Sequence, residues 1–432
     1  MNAASIRRHL PALGLLLILT LATRLAWLGF VHPNPNDGRF DDTAWYYNSA
    51  ALMAHGRGYI SPYAGTPTAA WPPGYPAFLA AVFKAFGVGL TQAYVANVVL
   101  AVLTVGAVYC IGLLLFERRT ALIGAAAMAL WPGQVVFVSL ALSEILFSLL
   151  LVVAILLVLL LPRAGTSRGP LAIAFGIATA AAALTRGQAL MLLPLAPVIW
   201  ALSGLRWRRA IGWGILAASV TAVLLVPWVA RNQRQLDSPV LIATNLGGNL
   251  WLGNHAGSQG RMQTAQPIPL VSRVGITEPQ YEVKNNSILL HKALAYMSTH
   301  PVSEVRLAAL KLRALYESDA TGLDWNTAYD VHGNLGAADG WLRGLANGFW
   351  FAAIGLAGVG LIADRARLRG ALAALPLTLL LWTGVHLIFF GDSRFHFPVT
   401  FIIALLAARG VVAVYAMIPR RLPSFGRRYA TV

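Results

Sequence analysis

The sequence is poor in charge, in acid and in cysteine, and each shortage excludes something. Only 11% of its 432 residues are charged, against about 25% in a typical soluble domain, which is too little polar surface to cover a water-soluble globule. A single cysteine, Cys110 in an apolar run, excludes an intramolecular disulfide, so any portion outside the cytoplasm has to be held by packing and membrane anchoring. Acidic residues number 16 against 33 Lys and Arg, a formal charge of +17. Such an excess can mark a nucleic-acid binder. Its distribution argues against that partner, because the arginines sit in short connectors between apolar stretches.

Apolar residues make up 57% of the chain. Runs long enough to cross a bilayer, roughly 17–25 residues, occur at 10–31, 93–115, 120–138, 142–161, 170–185, 188–204, 210–229, 346–363, 371–390 and 396–417. The pattern predicts an all-α, polytopic membrane protein of about ten transmembrane helices with two large outer loops, 32–92 and 231–345. Lys and Arg in short loops stay on the cytoplasmic side. With Arg7 and Arg8 inside, the inner loops carry Arg118/Arg119, Arg163/Arg168, Arg206/Arg208/Arg209, Arg365/Arg367/Arg369 and the tail arginines 420–428, accompanied only by Glu117 and Asp364. The alternation closes without conflict, so the basic excess reads as an insertion signal and a match to anionic membrane lipids. No small-x-small cleavage site follows the first apolar run, which is read as an uncleaved helix of a plasma (inner) membrane protein.

The outer side holds the acid. Fourteen of the sixteen acidic residues fall there or in the outer halves of helices, and an intramembrane carboxylate is costly enough to imply use. In the first outer loop Asp41 and Asp42 precede a stretch with Ala44, Tyr47, Ala51 and Ala54 at helical spacing. The pair reads equally well as a helix cap. Further on, Trp71-Pro72-Pro73-Gly74-Tyr75-Pro76 fixes an extended path ahead of a second amphipathic stretch, 77–86.

An N-terminal helix with Arg24, an acidic pair, Tyr46-Tyr47, Gly56-Arg57-Gly58-Tyr59 and Pro72-Pro73-Gly74-Tyr75-Pro76 together resemble the first outer loop of GT-C glycosyltransferases, in the protein O-mannosyltransferase and aminoarabinose-transferase branch. Ser143-Glu144, Leu184-Thr185-Arg186, Pro227 to Asn232, Gly248 to Asn254, His300-Pro301 and Ser393-Arg394-Phe395-His396-Phe397-Pro398 follow in the order of that branch. The resemblance implies transfer of a sugar from a polyprenyl-phosphate donor to a glycan, lipid or protein acceptor on the outer face, by inverting displacement. It matches the general base to Asp41, with Asp42 beside it. The leaving lipid phosphate needs a cation, and arginine binds phosphate oxygens bidentately. Arg24, Arg57, Arg186, Arg231 and Arg394 are the outer-side candidates, and His396 clusters with Arg394. Arg186 and Arg231 read equally as interfacial snorkels. Glu144, among apolar neighbours, is a further candidate acid, reading otherwise as the structural partner of a snorkelled arginine. Trp71 and Tyr75 are candidate sugar contacts, Trp71 reading also as part of an interfacial aromatic belt. One departure stands out: the aminoarabinose transferases carry an acidic-basic pair before the Pro-Pro, where this chain has Ala70-Trp71.

The chain divides into an N-terminal membrane module, 1–230, an outer region, 231–345, and a C-terminal module, 346–432. Within the outer region a helical stretch over about 280–318 puts Val302, Val305, Ala309, Leu312 and Tyr316 on one apolar stripe and leaves Lys311 and Arg313 off it. That reads as a basic amphipathic helix lying on the membrane and walling the cleft. His255, His291, His300 and His332 lack ligand spacing, so neither a metal nor another cofactor is expected; the resemblance leaves open a metal on Asp41 and Asp42, since some distant GT-C enzymes use one. The alternative function is a transporter of lipid-linked glycans, which should show matching halves and broken midplane helices. Neither is evident in the sequence.

Overall fold

The computed structural model describes residues 3–31, 41–263, 275–330, 333 and 335–417, without the side chains of residues 3–8. The expectations for Arg7, Arg8, His332 and the tail arginines fall outside that set. Among the described residues the chain is α-helical with short 3₁₀ turns and has no strand. Among the described residues eight helices are long and apolar enough to cross a membrane: His9–Phe30, Leu90–Leu115, Glu144–Arg163, Gly165–Thr185, Trp207–Leu236, Asp339–Ala363, Ala371–Ile388 and Ser393–Met417. The protein is a multi-pass membrane protein.

The other two expected spans differ from simple crossings. The third is a pair, Arg118–Leu130 and Pro132–Ser139, bent by 51° at Trp131. The sixth is Gly187–Leu202, a shorter apolar helix that opens as 3₁₀. The bend has a local cause. The Met128 carbonyl would accept the N–H of residue 132, which is proline and has none. Arg24 of the first span supplies the missing donors: its Nη2 donates to Met128 O at 3.0 Å and its Nη1 to Ala129 O.

Ser393–Met417 is the most buried span and His9–Phe30 the least. The last span packs between Asp339–Ala363 and Arg118–Leu130. Small residues permit that contact, since a Cβ on Gly410 would meet the Leu356 carbonyl.

Both long polar segments lie over one end of the bundle. The first contributes helices Asp42–Ala54 and Gly74–Phe86, and the second Leu246–Gly253, Glu278–Thr299, Pro301–Tyr316 and Thr321–Ala328. The second is shorter than expected, because the preceding span runs on to Leu236 and the next begins at Asp339. The segments are tied together. Glu282 accepts from Thr68 Oγ1 at 2.6 Å, from the Ala69 N–H at 2.8 Å and from Thr244, while the Tyr329 hydroxyl donates to Asp41.

The stretch expected over 280–318 is two helices broken at His300-Pro301, and its amphipathic face is reversed. Val302 and Val305 are 84% and 74% exposed, whereas Lys311 is fully buried. Beside a membrane an apolar stripe need not face the protein. Lys311 Nζ instead donates to Asn254 Oδ1 at 2.5 Å and to the Leu387 and Ile388 carbonyls at 3.1 and 3.2 Å, at the end of helix Ala374–Ile388. Burial pushes this lysine down to about 8, with Glu304 at 3.8 Å opposing the shift.

Candidate active site

A cavity of about 900 Å³ opens at the loop-bearing end. Its polar floor comes from three helix termini. Asp42 begins helix Asp42–Ala54, Glu144 begins Glu144–Leu160, and Arg186 follows the last residue of Arg168–Thr185. Arg394 arrives from the 3₁₀ turn that opens the last span, where Asp392 caps the turn by accepting the Arg394 N–H at 2.9 Å.

These side chains form one charged cluster. Arg394 Nη2 lies 2.8 Å from Asp42 Oδ2, and its Nε lies 3.7 Å from Glu144 Oε1. Arg186 Nη1 lies 2.8 Å from the same Glu144 oxygen and donates to Ser143 Oγ at 3.2 Å. Asp42 Oδ1 accepts from Trp71 Nε1 at 3.1 Å. Glu144 is buried, while Arg186 and Arg394 keep a small exposed fraction toward the cavity. Two acids and two arginines thus balance each other, and a third anion would find both cations already desolvated and oriented. Tyr46, whose hydroxyl donates to Ser143 Oγ at 3.5 Å, is held above the usual phenol range by burial first and by the charge of Asp42 second, so it remains a neutral donor.

The Pro-Pro motif explains how two separate loops meet here. A Cβ at Gly74 would come within 2.8 Å of the Leu184 carbonyl, so only glycine lets the start of helix Gly74–Phe86 seat on the helix end that precedes Arg186. The Thr68–Trp71 run is held from the other side by Arg231, whose guanidinium donates to Thr68 O at 2.8 Å and Tyr59 O at 2.5 Å.

Asp42, Glu144, Trp71, Arg186 and Arg394 line the cavity; the other expected site residues do not. Asp41 is the N-cap of Asp42–Ala54, with Oδ1 taking the Thr43 and Ala44 N–H groups at 2.9 and 3.1 Å and Oδ2 taking the Tyr329 hydroxyl. Arg24 and Arg231 hold backbone carbonyls, as described. Arg57 is exposed. Tyr75 is fully buried, donating to Asn97 Oδ1 at 3.2 Å and packing edge-on against Tyr46. His396 is buried against Trp350, its Nδ1 donating to Leu315 O at 2.7 Å and its Nε2 lying 3.0 Å from Asp319 Oδ1. The cleft wall expected from the 280–318 stretch comes from its first helix, through Val283, Asn286, Ser287 and Leu290 of Glu278–Thr299, and not from Pro301–Tyr316. Sequence reasoning also missed the far wall, built by Val385, His386, Phe389 and Phe390 where helix Ala374–Ile388 ends. No charge pattern marks that wall. Among the described residues no group of three or more His, Cys, Asp or Glu is gathered to hold a metal.

Residues 70–230 match the family model for dolichyl-phosphate-mannose-protein mannosyltransferases. No curated protein matches the chain by sequence. Among solved structures, the oligosaccharyltransferase AglB of Archaeoglobus fulgidus in complex with an inhibitory peptide and a dolichol-phosphate superposes at a TM-score of 0.53, with 14% identity over 96% of this chain. The apo form of the A. fulgidus oligosaccharyltransferase superposes at 0.55, with 14% identity over 94% of this chain. The chain has the GT-C fold. It covers 51% and 50% of those two proteins, so it spans about half their length. ArnT from Cupriavidus metallidurans, solved bound to undecaprenyl phosphate, superposes at 0.43 and adds nothing to the GT-C assignment.

Proposed function

We propose that this GT-C chain is a membrane glycosyltransferase that moves a sugar from a polyprenyl-phosphate donor to an acceptor hydroxyl at the loop-bearing end. The convergence of Asp42, Glu144, Arg186 and Arg394 on one cavity carries the reading. Arg394 and Arg186 take the donor phosphate, whose charge loosens their hold on the two carboxylates. Asp42 accepts the proton of the acceptor hydroxyl, and that oxygen attacks the anomeric carbon opposite the phosphate. The carbon–oxygen bond to phosphate breaks, the electron pair leaves with the lipid phosphate, and the configuration inverts. The product phosphate gains the charge that Asp42 loses, and the arginines are positioned to stabilise it. Glu144 keeps the two guanidiniums aligned.

The resemblance matched the base to Asp41. The geometry favours its neighbour, because Asp42 lines the cavity and Asp41, the cap of its helix, does not. Sugar transfer from a polyprenyl-phosphate hexose panel separates the two. Asp42→Asn should lose about 10²-fold or more of turnover, and Asp41→Asn, which preserves most capping, should lose far less. A severe loss confined to Asp41→Asn returns the base to that residue.

The loop-bearing end is proposed to face outward, since the short arginine-rich connectors lie at the opposite end. In a Cys110→Ala background, an impermeant maleimide added to intact cells should label a cysteine at Ser298, an exposed polar position, and spare one at Ala366. The reverse pattern overturns the orientation.

A further inference from the structure

Among the described residues His386 is the one histidine on the cavity lining, and none of the reaction steps above uses it. It sits in the last turn of helix Ala374–Ile388 and is 2% exposed. Its Nδ1 lies 2.8 Å from the Trp382 carbonyl one turn back. A carbonyl only accepts, so Nδ1 carries the proton, and a neutral ring then presents Nε2 as a bare acceptor. Nε2 is buried and has no hydrogen-bond partner among the described residues. Buried acceptors are almost always paired, and an orphan at a cavity marks where a ligand donor belongs.

The surroundings limit what that donor is. The imidazole lies 5.0 Å from the Phe395 ring, and the Arg186 guanidinium lies over the same ring at 5.3 Å. His386 is therefore next to the cation assigned to the donor phosphate. A phosphate offers acceptors and would leave Nε2 unpaired. The group attached to that phosphate in a glycosyl donor is a ring of hydroxyls, which are donors. We propose that His386 Nε2 accepts a hydrogen bond from a hydroxyl of the donor sugar and so discriminates among donors by hydroxyl configuration.

This rests on the transferase reading, and the test separates the two. Binding is measured on the full chain in lipid nanodiscs with undecaprenyl phosphate and with its glucosyl, galactosyl and mannosyl phosphodiesters, which differ in hydroxyl configuration. The wild type should bind one sugar-bearing lipid more tightly than the others. His386→Phe keeps a ring of similar size without the acceptor; it should lose that preference by about fivefold, the worth of one neutral hydrogen bond, and bind undecaprenyl phosphate as the wild type does. His386→Gln keeps an acceptor and should recover part of the preference. An unchanged preference in His386→Phe, or equal weakening toward the bare and the glycosylated lipids, overturns the role of His386 and leaves the transferase reading intact. Failure of the wild type to bind any of the four lipids overturns both.

Discussion

Arg24 at the bend of the third crossing and Arg394 at the cavity look alike in the sequence: both are arginines at one end of a span. The structure gives them opposite neighbours. Arg24 is 1% exposed and faces the Met128 and Ala129 carbonyls, groups that cannot move without unwinding a helix. Arg394 faces two carboxylates across an open cavity. An arginine whose partners are orphaned backbone acceptors serves the fold. One whose partners are side chains around a void can exchange them for a ligand. Arg231 belongs with Arg24, and Arg186 with Arg394.

The comparison can be broken by thermal unfolding of a single series. Arg24→Ala strands the buried Met128 carbonyl and leaves the Ala129 carbonyl with Thr23 Oγ1 at 3.2 Å alone; it should cost most, about 2 kcal/mol at 1–3 kcal/mol per unsatisfied group. Arg231→Ala frees the Tyr59 and Thr68 carbonyls at a half-exposed site, where water replaces part of the loss; about 1 kcal/mol is expected. Arg57→Ala, at an exposed position, should stay within about 0.5 kcal/mol. A destabilisation by Arg57→Ala equal to that of Arg24→Ala would dissolve the distinction between scaffold and surface arginines.

Much of the site was legible because its chemistry needs particular residue types at span ends. Ser143-Glu144, Leu184-Thr185-Arg186 and the run from Ser393 to Pro398 stood out against apolar sequence, and their key members meet in the cavity. The motif residues that lie off the cavity lining, Arg24, Tyr75, Arg231 and His396, carry the same sequence signal, and only their partners distinguish them. Those partners are carbonyls or distant side chains, such as Asp319 for His396, 77 positions away. Glu282 was illegible for the same reason, its bonds to Thr68 and Ala69 spanning 214 and 213 positions. Lys311 misled because amphipathic reasoning assumes water on the polar face. In helix Pro301–Tyr316 the valines are exposed and the lysine is buried against helix-terminal carbonyls. The bend at Trp131 was hidden inside a continuous apolar run, with Pro132 as its only local sign.

The central claim is that Arg394, unlike Arg24, holds a lipid phosphate. Undecaprenyl phosphate titrated onto the purified chain in nanodiscs tests it, with wild type, Arg394→Ala and Arg24→Ala compared below the unfolding temperature of each. Arg24→Ala should bind as the wild type does, and Arg394→Ala at least about tenfold more weakly, the loss of one charge-assisted contact. Equal affinity in wild type and Arg394→Ala, or a loss found only in Arg24→Ala, would contradict the account.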